Sequence, residues 1–309
     1  MSSVVNVILP IFGLILVGYV CRRTERLGET AASELNRFVV WLCLPALLFR
    51  ATATATWAEV WHPEFIAVVA IGTLAIFALT LVYRRRATRH LVDASIDALG
   101  AAYANTGYVG IPLSLLVLGD PGLEPALIAT LFVACVLFGL AVVCIEVGLQ
   151  SERSAARAGL KVGRALARNP LVVSPILGAL WAIGGLSLPH AADTFLRLLG
   201  DATTPAALVS LGLFLARRQP GTAQGTLGLV GLKLVAHPLI TWVLAYHVFA
   251  LPPLWAQSAL LMSALPTGTG PFMLAEFYQR EAAVVSRTIL LTTLGSLLTL
   301  SLCLYLLQG

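Results

Sequence analysis

The feature that most constrains this chain is a succession of uninterrupted apolar runs about as long as a lipid bilayer is thick. A helix needs roughly 20 apolar residues to cross the hydrocarbon core. Ten such segments can be drawn, at roughly 3–21, 33–53, 64–83, 93–118, 124–149, 170–187, 195–216, 224–250, 254–279 and 284–307. Of 309 residues, 58% are hydrophobic and only 11% charged, against roughly a quarter charged in soluble domains. That composition excludes a cytosolic enzyme, a secreted disulfide domain and a disordered regulator. Continuous rather than alternating hydrophobicity also excludes an outer-membrane barrel. The expected fold is therefore an all-α integral membrane protein of ten transmembrane helices.

Charge position orients the spans. Fifteen basic residues lie in the loops after segments one, three, five, seven and nine: Arg22, Arg23 and Arg26; Arg84–Arg86 and Arg89; Arg153, Arg157, Lys161, Arg164 and Arg168; Arg217 and Arg218; and Arg280. Arg50 and Arg197 stand near the other side. Basic loops mark the cytoplasmic face, so the reading is an inner (plasma) membrane protein, multi-pass, with both termini extracytoplasmic. Segment one lacks a basic region before it and a small-residue cleavage pattern after it, so it reads as a retained helix. The net charge of +5 is a topology signal, not a nucleic-acid footprint. The basic residues of 150–169 recur at helical spacing, which fits either an amphipathic helix on anionic lipid or a solvated connector. Trp57, Trp61 and Trp255 fall at outer edges as interfacial anchors. The five cysteines stand singly and predict neither a metal site nor a disulfide framework.

An odd number of spans on each side of 150–169 places the two halves in opposite orientations: 1–149 as a first five-helix repeat, 150–169 as a basic cytoplasmic linker, 170–309 as a second, inverted repeat. Three matches support a duplication. Pro10-Ile11-Phe12-Gly13 pairs with Pro175-Ile176-Leu177-Gly178, Pro45-Ala46-Leu47-Leu48 with Pro205-Ala206-Ala207-Leu208, and Thr106-Gly107 with Thr267-Gly268, at offsets of 165, 160 and 161. Inverted repeats mark alternating-access carriers, whose site lies where the repeats meet.

Two corresponding spans are broken. Span four carries Asn105-Thr106-Gly107-Tyr108-Val109-Gly110-Ile111-Pro112, and span nine Pro266-Thr267-Gly268-Thr269-Gly270-Pro271. Prolines bracketing a Thr-Gly-Thr-Gly run cannot keep a continuous hydrogen-bond ladder. Freed N–H and C=O groups cost several kcal/mol each in hydrocarbon unless protein, water or substrate satisfies them. Half-helices meeting at mid-depth present positive N-terminal ends and loose carbonyls, which suits a small anion with or without a cation.

These motifs, with Arg168-Asn169-Pro170-Leu171 and the run from Leu199 to Leu208, resemble the auxin efflux carrier family, which includes plant PIN-type carriers and bacterial malate and malonate permeases. The resemblance spans nearly the whole chain, without the long hydrophilic loop of many PIN proteins. It implies two inverted five-helix repeats, similar to bile-acid-transporter-type proteins, with spans four and nine crossing. It further implies an organic carboxylate as cargo and a homodimer. Asn105 matches an asparagine that helps hold the substrate in PIN-type carriers. The second break carries Thr267 and Thr269 and no asparagine, a departure that points away from auxin itself.

Substrate-binding candidates are thus Asn105, Thr106, Gly107, Tyr108, Gly110 and Pro112 in span four, and Pro266, Thr267, Gly268, Thr269, Gly270 and Pro271 in span nine. Asn105 and Thr106 either bind a carboxylate or cap the half-helix; Tyr108 either lines the site or packs on the neighbouring bundle. Candidates for coupling to H+ or Na+ are Asp201, Thr204, Lys233 and His237, since ionisable groups within spans are functional candidates by default. Each has a bland counterpart. Asp201 stands four residues from Arg197 and pairs with it or serves beside Thr204 as a cation site. Lys233 snorkels to the surface or neutralises the substrate. His237 packs or titrates. Glu276 and Arg280, at i and i+4, are expected to form a local ion pair.

The function expected is a secondary transporter of a small organic carboxylate, driven by H+, Na+ or the membrane potential, with no cofactor. The chain has no Walker A run to couple ATP, and it has no HExxH or GxSxG for an intramembrane enzyme. The alternatives are an uncoupled anion channel or uniporter and a non-transporting membrane receptor, since one fold hosts several functions.

Overall fold

The computed structural model describes residues 2–55, 61–88, 90–150, 155–216 and 224–308. Among them the chain is helical, with one isolated bridge and no strand. In chain order the helices are α1 (Ser2–Arg23), α2 (Ala31–Ala53), α3 (Pro63–Thr88), α4 (Leu91–Ala102), α5 (106–118), α6 (Asp120–Gly148), α7 (Ala155–Leu166), α8 (Pro170–Ile183), α9 (His190–Leu215), α10 (Thr226–Val248), α11 (Pro253–Ala264), α12 (Gly270–Phe277) and α13 (Ala283–Gln308). Among the described residues six are long and apolar enough to cross a membrane: α2, α3, α6, α9, α10 and α13. A seventh is gained if α8 is joined to the end of α7 across a 70° bend. The pieces of α4–α5 and α11–α12 are each too short to span alone, because the chain leaves the helix between them.

Local chemistry sets the boundaries. Proline opens α3, α8 and α11, where its missing N–H is an orphan anyway. Asn169 caps α8, its side-chain oxygen accepting from Leu171 N at 3.0 Å. Three π-helical turns stop one or two residues short of a proline: Val39–Cys43 before Pro45, Thr106–Gly110 before Pro112 and Leu232–Ala236 before Pro238. Proline withholds an N–H and crowds the carbonyl four residues back. A wider turn absorbs both faults without ending the helix.

The helices pack as two groups. In one, α1 lies along α9 and α2 along α8. Glycine lets these backbones touch: a Cβ on Gly212 would sit 2.0 Å from the Ile15 carbonyl oxygen, on Gly18 2.1 Å from that of Val209, and on Gly178 2.4 Å from that of Phe49. Small residues at crossings are the usual glue between helices in lipid, where apolar surface alone does not discriminate protein from tail. The other group gathers α3, α4, α6, α10, α11, α12 and α13, with α4 against α3 and α6, and α11 against α10 and α13.

Ion pairs collect the helix ends into two sets. At one end, Arg50 of α2 clamps Asp193 of α9 (Nε to Oδ1, 2.7 Å), and His62 meets Glu124 at 2.8 Å. Trp255 stacks on His62 there, centroids 4.2 Å apart; Trp61 is exposed nearby in sequence. At the other end, two aspartates a turn apart on α4 are each held by an arginine from elsewhere. Arg84 of α3 donates to Asp97 at 2.6 Å, and Arg280 Nε to Asp93 at 2.7 Å. Tyr278 Oη donates to Glu146 of α6 at 2.7 Å and accepts from Asn169 Nδ2 at 3.1 Å.

Arg280 corrects a sequence expectation. Its carboxylate partner is Asp93, because α12 ends at Phe277 and Gln279 takes φ +53°, which destroys the i, i+4 geometry with Glu276. Between the two halves, α7 is a helix whose Leu160 is exposed. Trp57, Arg89, Arg153, Arg217 and Arg218 lie outside the described residues. All five cysteines are free thiols.

The glycine crossings yield a direct check. Gly212→Ala drives its Cβ into the Ile15 carbonyl and should destabilise by about 1–3 kcal/mol, the usual cost of overpacking. Gly13→Ala, with nothing within 4 Å, should be neutral or slightly stabilising. Thermal unfolding in detergent measures both; equal melting temperatures for the two variants would contradict the packing described.

Candidate functional site at the crossing of two broken helices

Each break follows from its sequence. Helix α4 stops at Ala102 and Tyr103 turns extended, φ −77° and ψ 94°. Helix α11 stops at Ala264, and Leu265 is extended (φ −61°, ψ 152°) because Pro266 disfavours the helical region for its predecessor. Helix α12 restarts at Gly270 with Pro271 in its first turn, and Pro112 stands likewise in the first turn of Ile111–Leu118.

The two extended strips cross antiparallel, with Ala104 opposite Thr267. Asn105 N–H donates to the Pro266 carbonyl and Gly268 N–H to the Tyr103 carbonyl, both at 2.9 Å. Thr267 N–H, which faces away from that pair, donates to Thr292 Oγ1 of α13 at 3.1 Å. The Thr267 hydroxyl donates to the Gly100 carbonyl at 2.9 Å. The Asn105 carbonyl accepts from both Val109 and Gly110 N–H. Most groups freed by the breaks thus find partners in the opposite break or in a flanking helix, as an apolar setting demands.

Glycine is needed for the closeness. The Tyr103 ring lies across the second break: a Cβ on Gly268 would meet it at 2.9 Å, and one on Gly270 likewise at 2.9 Å. A Cβ on Gly110 would strike Leu265 Cδ1 at 2.7 Å. Gly107 differs; it is exposed, with Thr130 of α6 as its nearest neighbour. The backbone of Tyr108 belongs to the π turn, while its side chain lies outside the description.

Several polar groups are left available. Asn105 stands at the N-cap of the π turn without a side-chain capping bond, and Thr269 caps α12 without one. Of the two sequence readings for Asn105, capping is therefore not what its amide does. Thr106 is buried beside a cavity of about 10 Å³, room for a single water. Thr73, Thr241, His237 and Ser263 also line it.

Behind this cavity lies a buried chain of hydrogen bonds. Lys233 Nζ donates to the Ser263 carbonyl at 2.7 Å and lies 3.1 Å from His237 Nδ1, and His237 Nε2 lies 3.3 Å from Thr73 Oγ1. Lys233 is 0% exposed, so the snorkel expectation is overturned: the side chain runs inward, towards the C-terminal end of α11. His237 is buried in the same network, adjoining the crossover. The structure does not bring Asp201 and Thr204 there. Asp201 is 67% exposed on α9 with Arg197 at 4.0 Å, and Thr204 is half-buried in the same helix. Among the described residues no cluster of three or more His, Cys, Asp or Glu is arranged for a metal.

A larger crevice of about 1090 Å³ separates the two helix groups at the Arg50 end. Arg50, His190 and Asp193 line it together with Phe132 and Cys135 of α6. Sequence reasoning missed Tyr103, Thr73, Ser263 and Thr292, since their roles depend on partners far away in the chain, from 25 residues for Thr292 to 164 for Thr73, with Tyr103 meeting Gly268.

A family model described as membrane transport protein matches residues 3–304. The chain belongs to the auxin efflux carrier family of membrane transport proteins. A Rhizobium meliloti protein named "Putative malonate transporter" is 31% identical over 313 residues, covering 100% of this chain and 97% of that one. An uncharacterised transporter of Methanothermobacter thermautotrophicus is 27% identical across 96% of this chain and 95% of its own length. Auxin efflux carrier component 8 of Arabidopsis thaliana is 32% identical over 147 residues, 45% of this chain and 40% of that one. Family and relatives are transporters, not enzymes, and this auxin efflux carrier family member is a multi-pass membrane protein.

Gly268→Ala should disable this family member's crossover, lowering stability by about 1–3 kcal/mol. Shrinking the ring with Tyr103→Leu in the same chain should recover a large part of that loss, a coupling that thermal unfolding of the double mutant reads out. Strict additivity would contradict the Tyr103–Gly268 contact.

Proposed function

We propose that the protein is a secondary carrier that moves a small organic carboxylate across the inner membrane by alternating access. The observation carrying this reading is the antiparallel crossing of two broken helices, with the Asn105 amide and the Thr106 and Thr269 hydroxyls beside it. Breaks in apolar surroundings persist where they line a site, and carriers use such half-helix ends to hold anions and cations. The substrate site comprises Asn105, Thr106, Gly107, Tyr108, Gly110 and Pro112 from one break and Pro266 to Pro271 from the other, with the glycines and prolines shaping the backbone.

On this reading α4–α5 and α11–α12 are each one span, α1 and α8 are spans, and the total is ten in two inverted repeats, 1–149 and 170–309, joined by 150–169. The pairing of α1 with α9 and of α2 with α8 supports it, because a twofold exchange of spans one and six, and of two and seven, interconverts those pairs. The Arg84 and Arg280 end faces the cytoplasm by the basic-loop rule, so both termini are outside. The crevice at the Arg50 end is then the outer approach, and the small inner cavity adjoins the site. The name of the Rhizobium meliloti relative makes malonate the first substrate to test. The gradient is H+ or Na+, or the potential alone, worth about 2.3 kcal/mol per charge per 100 mV. Asp201 and Thr204, away from the crossover, are weaker coupling candidates than Lys233 and His237. The family resemblance suggests a homodimer.

Uptake into proteoliposomes separates a carrier from a channel or receptor: malonate flux should saturate and show counterflow. A thermal-shift panel of mono- and dicarboxylates should stabilise only with true ligands, and Asn105→Ala should remove at least about tenfold of the affinity, the worth of one hydrogen bond to a charged group. Ligand binding unchanged in Asn105→Ala would refute this site.

A further inference from the structure

Lys233 stands out among the titratable groups because its neighbourhood offers no opposite charge. It is fully buried, and among the described residues no carboxylate lies within ion-pair distance of it. Its two hydrogen-bond partners are neutral: the Ser263 carbonyl at 2.7 Å and His237 Nδ1 at 3.1 Å. Accepting at Nδ1 leaves the imidazole hydrogen on Nε2, where it donates to Thr73 Oγ1 at 3.3 Å, a tautomer assigned from this bonding pattern. An ammonium has three donors; among the described residues two of them are used.

The position of those partners gives the lysine a direction. Ser263 is the penultimate residue of α11, so its carbonyl belongs to the unsatisfied, negative end of a half-helix, where a cation is favoured. Ser263, His237 and Thr73 all line the small cavity, and Ala104 and Thr106 of the other break close it. Lys233 is thus a positive group tied to the carbonyl end of one broken helix, with Ser263 and His237 between it and the other break. Helix-end attraction alone offsets only a small part of what burying an unpaired charge costs. The cavity itself holds no more than a water, so the missing negative charge would come from a substrate carboxylate held at the crossover on the other side of it.

We propose that Lys233 is a built-in cation of the transport site, held in readiness by Ser263 and His237, which neutralises one carboxylate of the bound substrate in place of a sodium ion. The inference rests on the carboxylate-carrier reading. It makes Lys233 a specificity-determining residue: the site favours a ligand with a second negative charge over an isostere that lacks it.

The test measures binding of malonate and of its monoamide, malonamate, by isothermal titration to detergent-purified full chain. Wild type should prefer malonate by at least about tenfold, equivalent to about 1.4 kcal/mol. In Lys233→Gln the malonate dissociation constant should rise by that factor while malonamate changes little, so the preference collapses; Lys233→Arg, which keeps the charge, should restore part of it. A purely structural role would weaken both ligands alike. Should Lys233→Gln fail to fold, wild type decides the matter: malonate affinity should be equal in sodium and in choline buffer. An unchanged preference in Lys233→Gln, or a wild-type requirement for sodium, overturns the proposal. If wild type binds neither ligand, the failure lies with the carboxylate reading itself.

Discussion

An unwound backbone cannot be left bare among apolar side chains, and the organisation of this protein follows from how it meets that constraint. Two helices stop in the middle of the molecule, and each supplies partners for the other: Asn105 N–H to Pro266 and Gly268 N–H to Tyr103. A single break of this kind would leave several donors and acceptors exposed at several kcal/mol apiece. Two breaks crossing antiparallel satisfy each other, with Thr292 and Gly100 taking the groups that point outward. Beside the crossing stand the side chains of Asn105 and Thr269, which make no capping bond, and of Thr106.

The surrounding helices answer to the same constraint at lower stakes. Before three prolines, Pro45, Pro112 and Pro238, a π turn absorbs the interruption. Glycine crossings hold α1 to α9 and α2 to α8 through backbone contact. The second group is joined to the first by side-chain bonds such as Asn169–Tyr278 at one end and by the crevice at the other.

The parts legible in the sequence are those encoded locally. The apolar runs gave the helices, and Pro266 to Pro271 and Asn105 to Pro112 marked the breaks, because proline and glycine act on their own backbone. The match of Thr106-Gly107 with Thr267-Gly268 pairs the two breaks, but the register in the structure sets Ala104, not Thr106, opposite Thr267, and no local feature marks that. Arg280 was misread since its partner is decided by how α12 ends, with Gln279 at φ +53°. Of the two readings open for Lys233, the surface one fails, and the sequence has no local means of deciding between them. Lys233 sits in the π turn Leu232–Ala236, where an extra residue shifts the helix face and a 3.6-residue periodicity no longer tells inside from outside. Tyr103, Ser263 and Thr292 carry no local mark at all; their neighbours come from distant segments.

The central claim is that the two breaks touch at Ala104 and Thr267. Cysteines at those two positions, in a chain whose five native cysteines are replaced, measure it directly. Opposed residues of an antiparallel pair without mutual hydrogen bonds have Cα atoms about 4.5 Å apart, within the span a disulfide bridges. Mild oxidation should therefore protect both thiols from maleimide labelling in membranes and lower the intact mass by two hydrogens. Free labelling of both cysteines after oxidation, in protein that still folds, would mean the helices do not cross there.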